Sequence, residues 1–332
     1  MAAVLLTAAL ALPGAASADP KLDVAPGALR ASLQCPAFAH PHRNPVLLVH
    51  GTGLNADESW DWNYELALPP SGYDWCAVTL PNRALGDIQV SAEYVVYAIE
   101  RIHALTHRRL TVITHSQGGM EGRWALRWWS EARADTADLI DLASPNHGIY
   151  AADACADSGS GLPPARPPGS PNRAAPESSG CWPAVWQMAS GSHFLKALNS
   201  VSETPGTTAY TQIYSQTDEL VEPSTTPPLA GGANTSNIAI QSICPGRVVH
   251  HAGLLSDPVV WELVLDAMTH AGPANPGRID RGACLQATMP YVTAAGVLEG
   301  NAFLYGSAAI AFEDHPGVTA EPTLKPYARR YG

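Results

Sequence analysis

The sequence predicts an α/β protein: a mostly parallel sheet flanked by helices, folded as one domain. Three observations predict it. Short apolar runs recur along the chain, among them Pro45-Val-Leu-Leu-Val49, Cys76-Ala-Val-Thr-Leu80 and Leu110-Thr-Val-Ile-Thr114. Stretches with helical spacing separate them, and strand and helix alternating at this interval is the signature of βαβ units. The third observation is Leu110-Thr-Val-Ile-Thr-His-Ser-Gln-Gly-Gly119, where an apolar strand runs into a serine, then glycines, then an amphipathic helix. That is the pattern of a sharp strand-to-helix turn that lifts a serine hydroxyl above a sheet.

Taken in order, Ala2 to Leu12 is an apolar run too short to span a bilayer. It leads to Ala16-Ser-Ala18, a small-residue cleavage pattern, so residues 1–18 read as an export signal although no Lys or Arg precedes the run. The domain then covers residues 19–332. Pro45–Val49 and Cys76–Leu80 are the first strands, the second stopped by Pro81. Val90 to His107 is an amphipathic helix with Tyr94, Tyr97, Ala98, Ile102 and Leu105 near one face. Leu110–Thr114 is the strand before the serine, Gln117–Ala132 its helix and Leu139–Ala143 the next strand. Met120, Trp124 and Trp128 follow at helical spacing, and with Trp129 they read as core. Strands are expected at Tyr210–Tyr214 and Ile238–Ile243, and a long helix at Pro258–His270. Between Cys155 and Cys181 lie 25 residues, 15 of them Pro, Gly or Ser. Such a composition forms no core, and the cysteine at each end suggests a loop closed by its own disulfide.

The formal charge of −11 argues against nucleic acid and against a polybasic membrane patch. Only 15% of the residues are charged, which suits a protein that meets a greasy substrate. The six cysteines, Cys35, Cys76, Cys155, Cys181, Cys244 and Cys284, are even in number and never spaced C-x-x-C. Zinc is therefore not expected, and an exported chain would join them as three disulfides chosen from 15 pairings. His103 and His107 stand four apart on a helix but lack a third ligand nearby, so they read as a solvated face and no metal or cofactor is expected. Asn234-Thr-Ser236 is a glycosylation sequon. A monomer without a transmembrane anchor is the expectation.

A serine hydroxyl is a poor nucleophile until a histidine takes its proton, and that imidazole needs a carboxylate to fix its tautomer. With this kind of turn the partners follow in the order Ser, Asp or Glu, His. Only His147, His193, His250, His251, His270 and His315 follow Ser116. Asp218 lies in the polar turn Ser215-Gln-Thr-Asp-Glu219 after a strand, with Glu219 as local rival. Val248-Val-His-His-Ala-Gly253 offers His250 and His251, and the small residues after His251 favour it. The backbone N–H of Gln117 and the loop Gly51-Thr52-Gly53 are the expected donors to a tetrahedral oxyanion, Thr52 through its N–H and its hydroxyl.

Val49-His-Gly-Thr-Gly53, Thr114-His-Ser-Gln-Gly-Gly119, Tyr214-Ser-Gln-Thr-Asp-Glu219 and His251-Ala-Gly253 together resemble the family of Candida antarctica lipase B in order and spacing. Ala184-Val-Trp-Gln187, Tyr73-Asp-Trp-Cys76, Ile243-Cys244 and Glu321-Pro with Lys325-Pro-Tyr-Ala-Arg329 extend the resemblance over most of the chain from Cys35. It implies an α/β-hydrolase fold and hydrolysis of carboxylic esters, typically triacylglycerols. It implies Ser116 as nucleophile, Asp218 as acid, His251 as base, and Thr52 and Gln117 as the oxyanion hole. Val185 and Leu220 fall on positions of the acyl side, and the cysteine pattern implies Cys35–Cys76 and Cys244–Cys284. The chain departs from the pattern at His115, where the family has a tryptophan in the alcohol-side pocket. Met188 and Asn146, also expected in the pocket, stand where it has a glutamine of the acyl side and an aspartate after the fifth strand, and its C-terminal disulfide is missing. The 155–181 loop replaces a shorter connection near the pocket mouth, and a partial lid and a plain surface loop are the two readings of it. A polyester hydrolase, an acyltransferase or a non-catalytic lipid binder are the alternatives on the same site.

Overall fold

The computed structural model describes residues 18–158 and 180–332. The expected export signal and the greater part of the 155–181 loop, with its lid role, lie outside the described residues.

Seven strands form one sheet: β1 (Leu33–Gln34), β2 (Val46–Val49), β3 (Trp75–Val78), β4 (Leu110–His115), β5 (Thr136–Leu142), β6 (Ala209–Tyr214) and β7 (Thr235–Ala239). Their order is β1-β3-β2-β4-β5-β6-β7. Only the edge pair β1–β3 is antiparallel; the other five pairings are parallel. All four residues of β2 and all six of β4 are buried, because helices cover both faces. Side-chain alternation then splits each run between two cores. Leu47 and Val49 join Val78, Ile99 and Trp124 in one, whereas Val46 and Leu48 join Ala77, Ile113 and Trp261 in the other.

The principal helices are α1 (Ile88–Thr106), α2 (Gly118–Trp128), α3 (Ser130–Asp135), α4 (Pro183–Met188), α5 (Pro258–Thr269) and α6 (Ala294–Asp314). Helix α1 starts two residues before the expected point because Asp87 caps it, accepting from Gln89 N at 2.9 Å. Leu105, expected on its buried face, is 46% exposed, since it sits on the last turn beyond the sheet. The single helix expected over 117–132 is two. The chain leaves helical geometry at Trp129 (φ −108°, ψ 107°), whose indole donates to Pro20 O at 2.8 Å. Arg133 bridges the break by donating to Leu126 O (2.6 Å). The strand expected over 238–243 stops at Ala239 and becomes a helical turn, Ile240–Ile243. Helix α6 was not expected. Its apolar residues run around the whole circumference, so it shows no amphipathic period, yet Thr293 caps it by accepting from Gly296 N at 3.0 Å. Trp124 stacks on Phe194 at 4.6 Å, as core.

Three disulfides close the chain upon itself: Cys35–Cys76, Cys155–Cys181 and Cys244–Cys284. The second closes the Pro/Gly/Ser-rich loop. Among the described residues no helix is long and apolar enough to cross a membrane.

Candidate active site

Ser116 sits at the C-terminal end of β4 with φ +56°, a left-handed conformation that a serine adopts only when its surroundings hold it there. Its N–H donates to Leu142 O at 2.8 Å, anchoring the turn to β5. The turn closes because its neighbours lack side chains. A Cβ on Gly118 would lie 2.6 Å from His50 O and 2.7 Å from Val49 O, and one on Gly51 would lie 2.8 Å from the Ser116 Cβ. Thr114, where a glycine is usual, donates its hydroxyl to Asp141 Oδ1 at 2.6 Å, which is what the extra side chain accomplishes. Ser116 itself is half-buried.

Asp218 and His251 come from the loops after β6 and β7 and meet at 2.8 Å, Nδ1 to Oδ2, with Asp218 5% and His251 3% exposed. The other Asp218 oxygen accepts the backbone N–H groups of Leu220 and Val221, both at 2.9 Å. Burial pushes the Asp218 carboxyl up, but the His251 ring and these hydrogen bonds outweigh it and hold the group below its ordinary value. Thr217 ties the two loops together: its hydroxyl donates to Val249 O (3.0 Å) and accepts from Val249 N (2.9 Å). The local rivals have other partners. Glu219 accepts from His251 N at 3.0 Å and from the Tyr305 hydroxyl of α6 at 2.6 Å, and His250 faces Tyr305 and Asn301. Among the described residues no hydrogen bond joins Ser116 Oγ to His251 Nε2; such bonds are often long before substrate arrives.

Beside Ser116, the backbone N–H groups of Thr52 and Gln117 have no hydrogen-bond acceptor among the described residues. The Thr52 hydroxyl, expected to share their task, instead donates to Gln117 Oε1 at 2.5 Å. His50, just before this loop, accepts from Leu80 N at 2.9 Å and donates through Nδ1 to Gly51 O at 2.8 Å. Burial pushes its pKa down to about 4.

The expected pocket residues divide. His115 is buried next to Ser116, with its ring 4.6 Å from that of His251. Its Nε2 donates to His251 O at 3.3 Å while its Nδ1 has no partner. Burial, then the nearby His251, pushes its pKa down to about 3, so the ring is neutral. Val185 is half-buried on α4 and Leu220 is 46% exposed beside Asp218. Met188 is packed into the core on the α1 side. Asn146 is fully buried, and its amide is consumed within the protein. It accepts from Ser144 Oγ (3.1 Å) and Arg123 Nη1 (3.2 Å), and donates to Gln212 Oε1 (2.8 Å) and Pro227 O (2.7 Å). No edge of it is left for an acyl chain.

His103 Nδ1 donates to Arg108 O at 2.9 Å, and among the described residues no group of three His, Cys, Asp or Glu side chains is placed to hold an ion. Asn234 spends its amide N–H groups on Thr204 O and Thr208 O. Two contributors escaped the sequence reading. Helix α6 lies against the loop after β2, where a Cβ on Gly53 would come within 3.0 Å of Ala308, and it exposes Leu298, Phe303 and Ile310. Glu121, on α2 one turn past Gln117, is fully buried. A carboxylate among the apolar positions of that helix was the signal for it.

A nucleophile turn on a mostly parallel sheet, with an acid and a histidine on later loops, defines the α/β-hydrolase class. The family Lipase (class 2) matches residues 43–253. Lipase B of Pseudozyma antarctica is 30% identical over an alignment that takes in the whole of this chain and 94% of that one. The crystal structure of Aspergillus fumigatus lipase B superposes with a TM-score of 0.81 at 28% identity, over 94% of this chain and 74% of that chain. Bacillus licheniformis lipase BlEst2 in its propeptide form shares the fold at 18% identity, TM-score 0.51, over 73% of this chain and 54% of that chain. The chain belongs to the class 2 lipases, and it is a carboxylic ester hydrolase.

Proposed function

We propose that the protein is a secreted lipase that cleaves acylglycerol esters through an acyl-enzyme, with Ser116, His251 and Asp218 as its triad. The observation that carries this is a strained Ser116 whose chain neighbour His115 has its ring 4.6 Å from that of His251, with His251 itself held 2.8 Å from Asp218 and shielded from water. In this reading Ser116 Oγ attacks the ester carbonyl while His251 Nε2 takes its proton. The oxyanion that forms is met by the N–H groups of Thr52 and Gln117, which have no other acceptor among the described residues. The imidazolium, stabilised by Asp218, then protonates the departing alcohol, and water releases the acid by the same route in reverse. Residues 1–18 are a cleaved leader, and the mature domain acts as a monomer. The low share of charged residues and the exposed apolar residues of α6 support an ester held in a lipid phase as the substrate.

Ser116→Ala tests the reading. Hydrolysis of tributyrin and of a p-nitrophenyl ester should fall by several orders of magnitude, since triad members act as a unit. Covalent labelling by a fluorophosphonate should disappear with it. Retention of more than about a tenth of the activity would remove Ser116 from the mechanism, because no single triad loss is that mild. A wild-type protein that binds lipid but never labels would be a binding homologue.

A further inference from the structure

The two oxyanion donors come from different parts of the chain, the loop after β2 and the start of α2, and a line of side chains links them from behind. Thr52 Oγ1 donates to Gln117 Oε1 at 2.5 Å. Gln117 Nε2 donates to Ala84 O at 2.8 Å and to Glu121 Oε1 at 2.7 Å. With both acceptors on the nitrogen side, the amide fits only one way round, and its oxygen must face Thr52. Gln117 and Glu121 are fully buried, and the second Glu121 oxygen has no partner. The Ala84 carbonyl is itself held in an unusual place. Asn82, Arg83 and Ala84 are three successive non-glycine residues at φ +50° to +57°. From within that turn Arg83 O accepts from Gly53 N (2.7 Å), and Arg83 Nε donates to Gly53 O (3.0 Å). Backbone this disfavoured persists only where its surroundings hold it, and here two of its hydrogen bonds hold Gly53, next to Thr52, while a third receives Gln117.

We propose that Glu121 is a positioning residue for ester hydrolysis: through the Gln117 side chain it holds the Thr52 and Gln117 donors at a fixed separation. The proposal rests on the reading of those two N–H groups as the oxyanion hole. Donors must stand about 2.7–3.1 Å from the oxyanion to stabilise it, so a shift of a few tenths of an ångström in either segment weakens both. The carboxyl serves in its neutral form. Burial, aided by the Asp87 charge and outweighing the hydrogen bond from Gln117, pushes its pKa up to about 8, and the proton falls on Oε2 because Oε1 accepts from Gln117. An ionised carboxylate behind the donors would oppose the negative charge developing in front of them.

Glu121→Gln and Glu121→Leu separate these effects when kcat and KM for p-nitrophenyl butyrate are followed from pH 6 to 9.5, with active sites counted by fluorophosphonate titration. Glu121→Gln keeps an acceptor for Gln117 and cannot ionise. It should hold kcat within about twofold at pH 7 and lose the decline that the wild type shows above about pH 8. Glu121→Leu leaves one Gln117 N–H without an acceptor and should lower kcat about tenfold at unchanged KM and full site count. Wild-type kcat in Glu121→Leu overturns the proposal, as does a loss seen only in the number of active sites. Identical alkaline profiles in the wild type and Glu121→Gln also overturn it, and this comparison stands even if Glu121→Leu does not fold. A wild type that neither turns over nor labels refutes the Ser116 assignment instead.

Discussion

Replacing Asp218 by asparagine removes one charge and adds one N–H, and the surroundings decide how the new amide lies. Oδ1 of Asp218 accepts two backbone N–H groups, from Leu220 and Val221, at 2.9 Å each. If the asparagine turned its NH₂ toward them, donors would face donors. Two buried N–H groups would lose their acceptor at about 1–3 kcal/mol apiece, roughly 2–6 kcal/mol in all. Shifting a proton between the two nitrogens of a neutral imidazole costs less than that. The amide oxygen therefore stays on Leu220 and Val221, and its NH₂ points at His251 Nδ1, 2.8 Å away in the wild type. Nδ1 must then be the acceptor, so the proton moves to Nε2, the atom that has to receive the Ser116 proton. The base is present but in the wrong tautomer, and the fold is undisturbed. In a serine triad such a change lowers kcat by about 10⁴, or about 5.4 kcal/mol at 1.36 kcal/mol per decade. Steady-state hydrolysis of a p-nitrophenyl ester at pH 7.5, with thermal unfolding as the control for folding, measures it. Glu219→Gln, which changes an exposed carboxylate that receives His251 N and Tyr305, should stay within about tenfold of wild type. Asp218→Asn retaining more than a tenth of the wild-type kcat, or Glu219→Gln matching its loss, would refute the reasoning.

Two further expectations follow from the site and its supports. His115→Trp fills the space beside His251 and removes a polar edge, so esters of bulky secondary alcohols should lose rate relative to those of small ones; equal relative rates in the two forms would count against the placement of His115 on the alcohol side. Glu121→Gln should also alter stability with pH in a definite direction. A carboxyl whose folded pKa is raised from 4.5 to about 8 keeps its proton on folding. Its burial is unpenalised below pH 4.5 and increasingly destabilising as pH rises toward 8, where only the unfolded chain ionises freely. The variant should therefore melt higher than the wild type at pH 8 and alike at pH 4.5, and a pH-independent difference in Tm would contradict a neutral Glu121.

Much of this protein could be read from local pattern. The runs at 45–49, 76–80, 110–114 and 210–214 are strands because a strand covered on both faces is apolar along much of its length, and that condition is written in consecutive residues. Ser116 with its glycines is equally local: the turn is a matter of a few dihedrals and the absence of Cβ atoms. The cysteines flanking the Pro/Gly/Ser-rich loop announced their pairing by composition. Other features depend on groups far apart in the sequence. His250 and His251 have the same neighbours and nearly the same chemistry, yet only one ring faces Asp218, 33 residues earlier, and the other turns to α6. The break at Trp129 is set by an indole reaching Pro20, 109 residues away, and the lack of an amphipathic period in α6 hid a helix that packs against Trp62 and the Ala56–Trp60 segment. Asn146 matches a pocket position in sequence, but Arg123, Gln212 and Pro227 draw its amide into the interior. Glu121 stood out among the apolar positions of its helix, but only the fold shows that its carboxyl meets the Gln117 amide. Sequence determined which backbone conformations and which chemical groups are present; the tertiary structure decided which groups face one another, because a hydrogen bond is directional and its partner is chosen by the fold, not by the neighbours in the chain.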